Sequence, residues 1–211
     1  MKNPLSYQKT EYDCGPTTLM NAVSCLFERE DIPPEVIKQI TLYSMDASNG
    51  KGELCKGGTS EMAMMFLANW LNQFGRDKKF PIQCEYLTGS DVKIEQGSRV
   101  VNSLKQGSVA VARVRYGCWH YVLLTGADDD FIYLFDPYYR ERRFSVEGIE
   151  MISDAPMRMN RRVAYHILNA EGKGYYALGS IQTRETVLFS STFSQNPVEK
   201  KLAGGCARRK S

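Results

Sequence analysis

The sequence predicts an α+β fold, with helices in its first part and an antiparallel sheet after them. Apolar residues recur at helical spacing as far as Phe74, and from Ile82 onward alternation of apolar and polar residues replaces that period. Two apolar runs then flank Gly126-Ala127-Asp128-Asp129-Asp130, the pattern of a hairpin.

Asp13, Cys14, Gly15 and Pro16 close an extended lead-in, and Pro16 suits the first turn of a helix. Leu19, Met20, Val23, Leu26 and Phe27 mark the buried face of that helix. Pro33 and Pro34 turn the chain into a second helix, with Val36, Ile37, Ile40 and Leu42 expected inside. Residues 46–58, rich in Gly, Ser, Asn and Lys, read as a loop. Thr59 or Ser60 caps a third helix through Phe74. Its Met62, Met65, Phe66, Leu67, Trp70 and Leu71 read as core, the methionines as filler.

Residues 82–87 read as a strand, 100–106 as a short helix ending at Gly107, and 108–116 as a strand. Residues 121–125 and 131–135 are the hairpin strands, and 140–146 and 163–168 are expected as further antiparallel strands. Past Gly172 the pattern weakens, so residues 175–193 add a strand or wrap the domain. This divides the chain into a domain over 1–172, an extension over 173–193, and a basic tail over 194–211 expected to be disordered.

The chain has 211 residues, 43% hydrophobic, 11% aromatic and 24% charged, which suits one globular domain with its own core. The net charge of +3 is mixed along the chain, and the Arg208-Arg209-Lys210 cluster reads as a solvated tail, so no nucleic-acid partner is expected. No run approaches the roughly 20 apolar residues of a membrane span. Residues 1–11 are polar, which predicts no secretory signal and a cytoplasmic protein with reduced thiols. The six cysteines form no CxxC pair, and no Walker A loop or GxGxxG appears, so neither a metal nor a cofactor is expected.

A thiol hydrolase needs a nucleophilic sulfur, a base beside it, a group orienting that base and donors for the oxyanion. A cysteine at a helix N-terminus meets unpaired N–H groups that favour its thiolate, and Cys14 is placed there. Cys55, in a loop rich in Lys and Gly, is the second candidate thiol, whereas Cys25 reads as packed. The chain has only two histidines. His166 lies in a strand-like run and reads as structural, whereas His120 opens the hairpin. A turn centred near Asp128 puts Asp136 opposite His120, where a carboxylate fixes the imidazole tautomer. Gln8, six positions before Cys14, can join the Cys14 N–H as a second oxyanion donor.

Gln8-x5-Cys14-Gly15-Pro16, the distant Trp119-His120-Tyr121-Val122-Leu123-Leu124 and Phe135-Asp136-Pro137 together resemble the C39-like peptidases of the papain-like clan, over roughly residues 5–146. The resemblance implies a papain-like fold and peptide-bond hydrolysis. By the same resemblance Cys14 is the nucleophile, His120 the base, Asp136 its orienter and Gln8 the oxyanion glutamine. The implied partner is a peptide or protein substrate. Double-glycine leader peptides are the substrates of well-known members, and Leu202-Ala203-Gly204-Gly205 in the tail resembles such a site, though a flexible glycine-containing end is much the better explanation of it. Those members sit at the front of exporters; this chain shows neither membrane spans nor a nucleotide-binding motif, which argues against leader processing coupled to export.

The same residues would also serve an acyltransferase or amidase. The non-enzymatic alternatives are a binding module that has kept the fold, and a structural role in which Asp136 merely satisfies His120. Tyr138, Tyr139, Trp119 and the 46–58 loop are candidate groove residues, each equally explained as packing.

Overall fold

The computed structural model describes residues 4–155 and 157–192. Its frame is a seven-stranded sheet built from β1 (Ile82–Thr88), β2 (Val109–Tyr116), β3 (Cys118–Ala127), β4 (Phe131–Phe135), β5 (Ile149–Met151), β6 (Arg161–Ala164) and β7 (Glu185–Ser191). The strand order is β1-β7-β2-β3-β4-β6-β5, and every neighbouring pair is antiparallel. The helices are α1 (Cys14–Leu26), α2 (Pro34–Tyr43), α3 (Glu61–Lys78), α4 (Arg99–Lys105) and α5 (Tyr165–Leu168).

Both faces of the sheet are covered, which is why β2 and β3 read as almost continuous apolar runs. On one face Leu19, Val23, Val36, Ile40, Leu67 and Leu71 of α1–α3 pack on Val111, Tyr121, Leu123, Phe135, Val187 and Phe189. On the other, Val100, Val101 and Leu104 of α4 pack on Ala110, Ala112, Val114, Val122, Leu124 and Leu134. The helical half thus lies against an antiparallel sheet in the α+β arrangement expected.

Several local expectations need correction. The α3 core face is Ala63, Met64, Leu67, Ala68, Leu71, Phe74 and Gly75, so Met62 is 74% exposed and Met65 and Phe66 are also exposed. On α2 only Val36 and Ile40 turn inward, and Ile37 and Leu42 are exposed. Ser60, not Thr59, caps α3 by accepting the Ala63 N–H at 3.1 Å, and the helix runs a turn beyond Phe74 to a left-handed Lys79.

Residues 140–146 form no strand; the charged run Arg140-Glu141-Arg142-Arg143 is exposed or half-buried and pairs with no neighbour in the sheet. The expected strand over 163–168 is instead β6, which ends at Ala164 and passes directly into α5. His166 is therefore an exposed helical residue.

The segment left open beyond Gly172 supplies β7, which lies between β1 and β2 with Glu185–Phe189 buried. Residues 194–211, including the double-glycine-like sequence, lie outside the described residues.

Candidate active site

Cys14 is the first residue of α1 and is only 8% exposed. Asp13 stands at the cap position but makes no side-chain cap. Its carboxylate instead accepts from the Lys9 N–H (2.9 Å), the Thr10 N–H (2.6 Å) and the Thr10 hydroxyl (2.6 Å), folding residues 9–13 into a turn. Burial pushes the Asp13 carboxyl up, but these hydrogen bonds outweigh it and hold it below its ordinary range. Because Asp13 is turned back, the N–H groups that a helix start leaves unpaired are not covered by it.

Three hydrogen-bonded ties bring this helix start to the end of the sheet. The buried Thr18 hydroxyl donates to the Tyr121 carbonyl at 3.1 Å, fixing α1 to β3 one residue past His120. Asn21 accepts the Ser6 N–H at 2.8 Å and donates to the Ser6 carbonyl at 2.9 Å, holding the lead-in against α1. The Gln8 N–H donates to the Pro137 carbonyl at 2.9 Å, which fastens the lead-in beside Asp136. Thr59, just past the 46–58 loop, adds a fourth constraint: a Cβ on Gly15 would lie 2.0 Å from Thr59 Oγ1, so only glycine lets Thr59 pack there.

His120, near the start of β3, is buried, and its Nε2 lies 2.7 Å from Asp136 Oδ1. The Cys14 side chain lies near enough to the ring to raise its proton affinity further. With Nε2 turned to Asp136, Nδ1 is the nitrogen left for the sulfur. Burial alone would lower the basicity of His120; the bond to Asp136 and then the nearby Cys14 reverse this and raise its pKa from 6.5 to about 10. The structure thus brings Cys14, His120 and Asp136 together, with His120 hydrogen-bonded to Asp136.

Asp136 follows β4 and is 0% exposed. A buried carboxylate is tolerated when its lone pairs are filled. Here Oδ1 also accepts the Tyr138 N–H at 2.8 Å, and Oδ2 accepts the Tyr176 hydroxyl at 2.7 Å. The Asp136 backbone is held as firmly: its N–H donates to Asn160 Oδ1 at 2.7 Å, and Asn160 Nδ2 donates to its carbonyl at 2.8 Å. Tyr176 and Asn160 carry no spacing signal in the sequence and were not among the expected site residues.

Gln8 is brought to the site by its backbone, but its side chain is partly occupied. Nε2 donates to the Thr10 carbonyl at 2.7 Å, and Oε1 is buried without a partner. One N–H of the amide is spent on that bond and the other is not.

Of the remaining candidates, Cys55 is exposed with a left-handed φ of 63°. No disulfide joins the described cysteines. Trp119 is half-buried, with the Arg113 and Arg115 guanidiniums 4.4 and 3.4 Å from its ring. Tyr139 is exposed and set edge-on against Tyr7, and Tyr138 is half-buried beside Tyr116, whose ring is 5.4 Å from that of His120. Among the described residues no helix is long and apolar enough to cross a membrane, and no group of His, Cys, Asp and Glu could hold a metal ion.

No family model matches the chain, and no curated protein matches it. Among solved structures it is similar to the peptidase domain of ComA from Streptococcus mutans, with a TM-score of 0.40 and 12% identity, over 89% of this chain and 99% of that one.

Proposed function

We propose that the protein is a papain-like thiol hydrolase that cleaves peptide bonds through an acyl-enzyme on Cys14. The observation that carries this reading is the His120–Asp136 hydrogen bond next to Cys14, in which a buried carboxylate raises the proton affinity of the imidazole beside a thiol. A cation held next to sulfur favours its thiolate form, the nucleophile in this chemistry.

The Cys14 sulfur attacks the peptide carbonyl, and the developing oxyanion is met by the Cys14 N–H and the unspent N–H of the Gln8 amide. His120 gives its proton to the leaving amine, the C–N bond breaks, and a thioester remains. Water then attacks the thioester with His120 as base, releasing the acid and restoring Cys14. Asp136 keeps Nε2 engaged throughout, so Nδ1 is the nitrogen that handles the proton. The steps use only groups of this protein, the substrate and water.

The test is incubation with a peptide mixture of broad sequence composition and mass-spectrometric search for new termini, with Cys14→Ala as control. New termini made by the native protein and absent with Cys14→Ala support hydrolysis. Adducts with added amines in place of free acids turn the reading to acyl transfer. No Cys14-dependent product overturns it.

A further inference from the structure

Asp136 carries its charge away from water, and three donors converge on it. The His120 ring and the Tyr138 N–H share Oδ1, while among the described residues only the Tyr176 hydroxyl donates to Oδ2. Tyr176 reaches the carboxylate from 40 positions further along the chain and is completely buried. Burial and the neighbouring Asp136 push its own hydroxyl well above the usual tyrosine range, so it stays a proton donor.

The backbone at this residue is strained. Tyr176 has φ +62°, a left-handed conformation that bulky aromatic residues avoid because Cβ crowds the carbonyl. Two backbone bonds to β2 hold it there: the Tyr176 N–H donates to the Arg115 carbonyl at 2.7 Å, and the Arg115 N–H donates to the Ala177 carbonyl at 2.8 Å. Glycine at this position would relieve the backbone but could not reach Asp136. A strained residue that the surroundings keep in place calls for a reason in what its side chain does.

We propose that Tyr176 is a positioning residue whose hydroxyl locks the Asp136 carboxylate, so that Oδ1 stays on His120 Nε2. Turning the carboxylate would break the bonds at both oxygens together. With the carboxylate fixed, the imidazole has one orientation, and Nδ1 faces Cys14. The catalytic consequence rests on the thiol-hydrolase reading; the coupling of Tyr176 to His120 does not. The competing explanation is packing, since the ring also touches Tyr116 and Phe144, each with centroids 5.6 Å away. Phenylalanine would pack equally well, and this separates the two.

The experiment compares Tyr176→Phe, Asp136→Asn and the double variant with the native protein. Two readouts are used: the rate of Cys14 alkylation by limiting iodoacetamide, and the rate at which the His120 Nε2 proton exchanges with water, followed by NMR. Tyr176→Phe is expected to slow alkylation about ten-fold, the scale of a hydrogen bond to a charged group. It should speed the proton exchange, and it should add nothing to alkylation in the Asp136→Asn background. Native rates in Tyr176→Phe, or effects of the two substitutions that simply multiply, overturn the proposal.

If native Cys14 shows no preferential alkylation, the hydrolase reading fails, while the proton exchange still decides the coupling. If Tyr176→Phe does not fold, 3-fluorotyrosine at position 176 keeps the shape and strengthens the donor. A coupled hydroxyl then moves the His120 Nε2–H resonance, and an unmoved resonance overturns the proposal.

Discussion

His120 Nε2 lies 2.7 Å from Asp136 Oδ1, although the two residues do not stand opposite each other on the sheet. The β3–β4 ladder pairs Leu123 with Phe135, so the position facing Asp136 is that of Val122, and His120 lies two residues further along the same side. The offset arises at the hairpin. The turn closes with the Asp128 N–H on the Phe131 carbonyl at 3.0 Å, and a bulge falls between Leu124 and Gly126. Diagonal neighbours of this kind are about 7–8 Å apart, a gap that an imidazole and a carboxylate span.

Gly15→Ala should both destabilise the protein and deactivate Cys14. The new Cβ would lie 2.0 Å from Thr59 Oγ1 and 2.6 Å from Thr59 Cβ, and the Thr59 hydroxyl is tied to the Ser44 carbonyl. Forced overpacking of this sort costs about 1–3 kcal/mol. Adding Thr59→Ala should rescue little, because the Thr59 Cβ remains in the way. Urea unfolding and Cys14 alkylation of the single and double variants check this, and native behaviour in Gly15→Ala would contradict it.

The raised pKa of His120 links stability to pH. In the unfolded chain the ring loses its proton near 6.5, whereas the folded protein holds it until about pH 10. Between those limits the native state binds more protons, so stability falls as pH rises. The contribution is complete below about pH 6.5 and gone above about pH 10. Urea midpoints measured across this range should drop more steeply for the native protein than for His120→Gln. Parallel curves would show that the ring is not held protonated by its partners.

Asn160 supports the site through the backbone of Asp136. Asn160→Ala leaves a buried N–H and a buried carbonyl without partners, a loss of about 2–4 kcal/mol. Asn160→Asp keeps the acceptor for the Asp136 N–H but removes the donor and sets a second carboxylate near Asp136. It should therefore be the more damaging of the two at neutral pH. Denaturant unfolding ranks them, and a milder Asn160→Asp would mean that Asn160 does not hold Asp136 as described.

Much of this architecture is legible in the sequence where a period or a scarcity exists. The helical spacing after Pro16 and Pro34 and the two runs around Asp128 locate α1, α2 and the hairpin. With only two histidines in the chain, scarcity narrows the base to one of two, but choosing His120 and setting Asp136 beside it leans on a symmetric register that the hairpin does not keep. What lacks a local signal stays open or goes unread. β7 is legible only through partners far away, such as the Tyr86 hydroxyl that donates to Glu185 at 2.6 Å across 99 positions. The outward turn of Met62 and Met65 depends on where the sheet lies, because Met64 satisfies the same helical pattern. Tyr176 and Asn160 are single polar residues whose importance comes entirely from where the fold brings them.

The most direct test of the central claim sets exposure against chemistry. Cys14 is nearly buried, whereas Cys55 and Cys118 are exposed. The native protein is treated with a limiting amount of iodoacetamide near neutral pH, and the labelled sites are located by peptide mass spectrometry. Activation by His120 and Asp136 requires Cys14 to be modified first, and that preference to be lost in His120→Ala and reduced in Asp136→Asn. Modification that follows exposure, with Cys55 and Cys118 ahead of Cys14 and no change in either variant, would contradict the account.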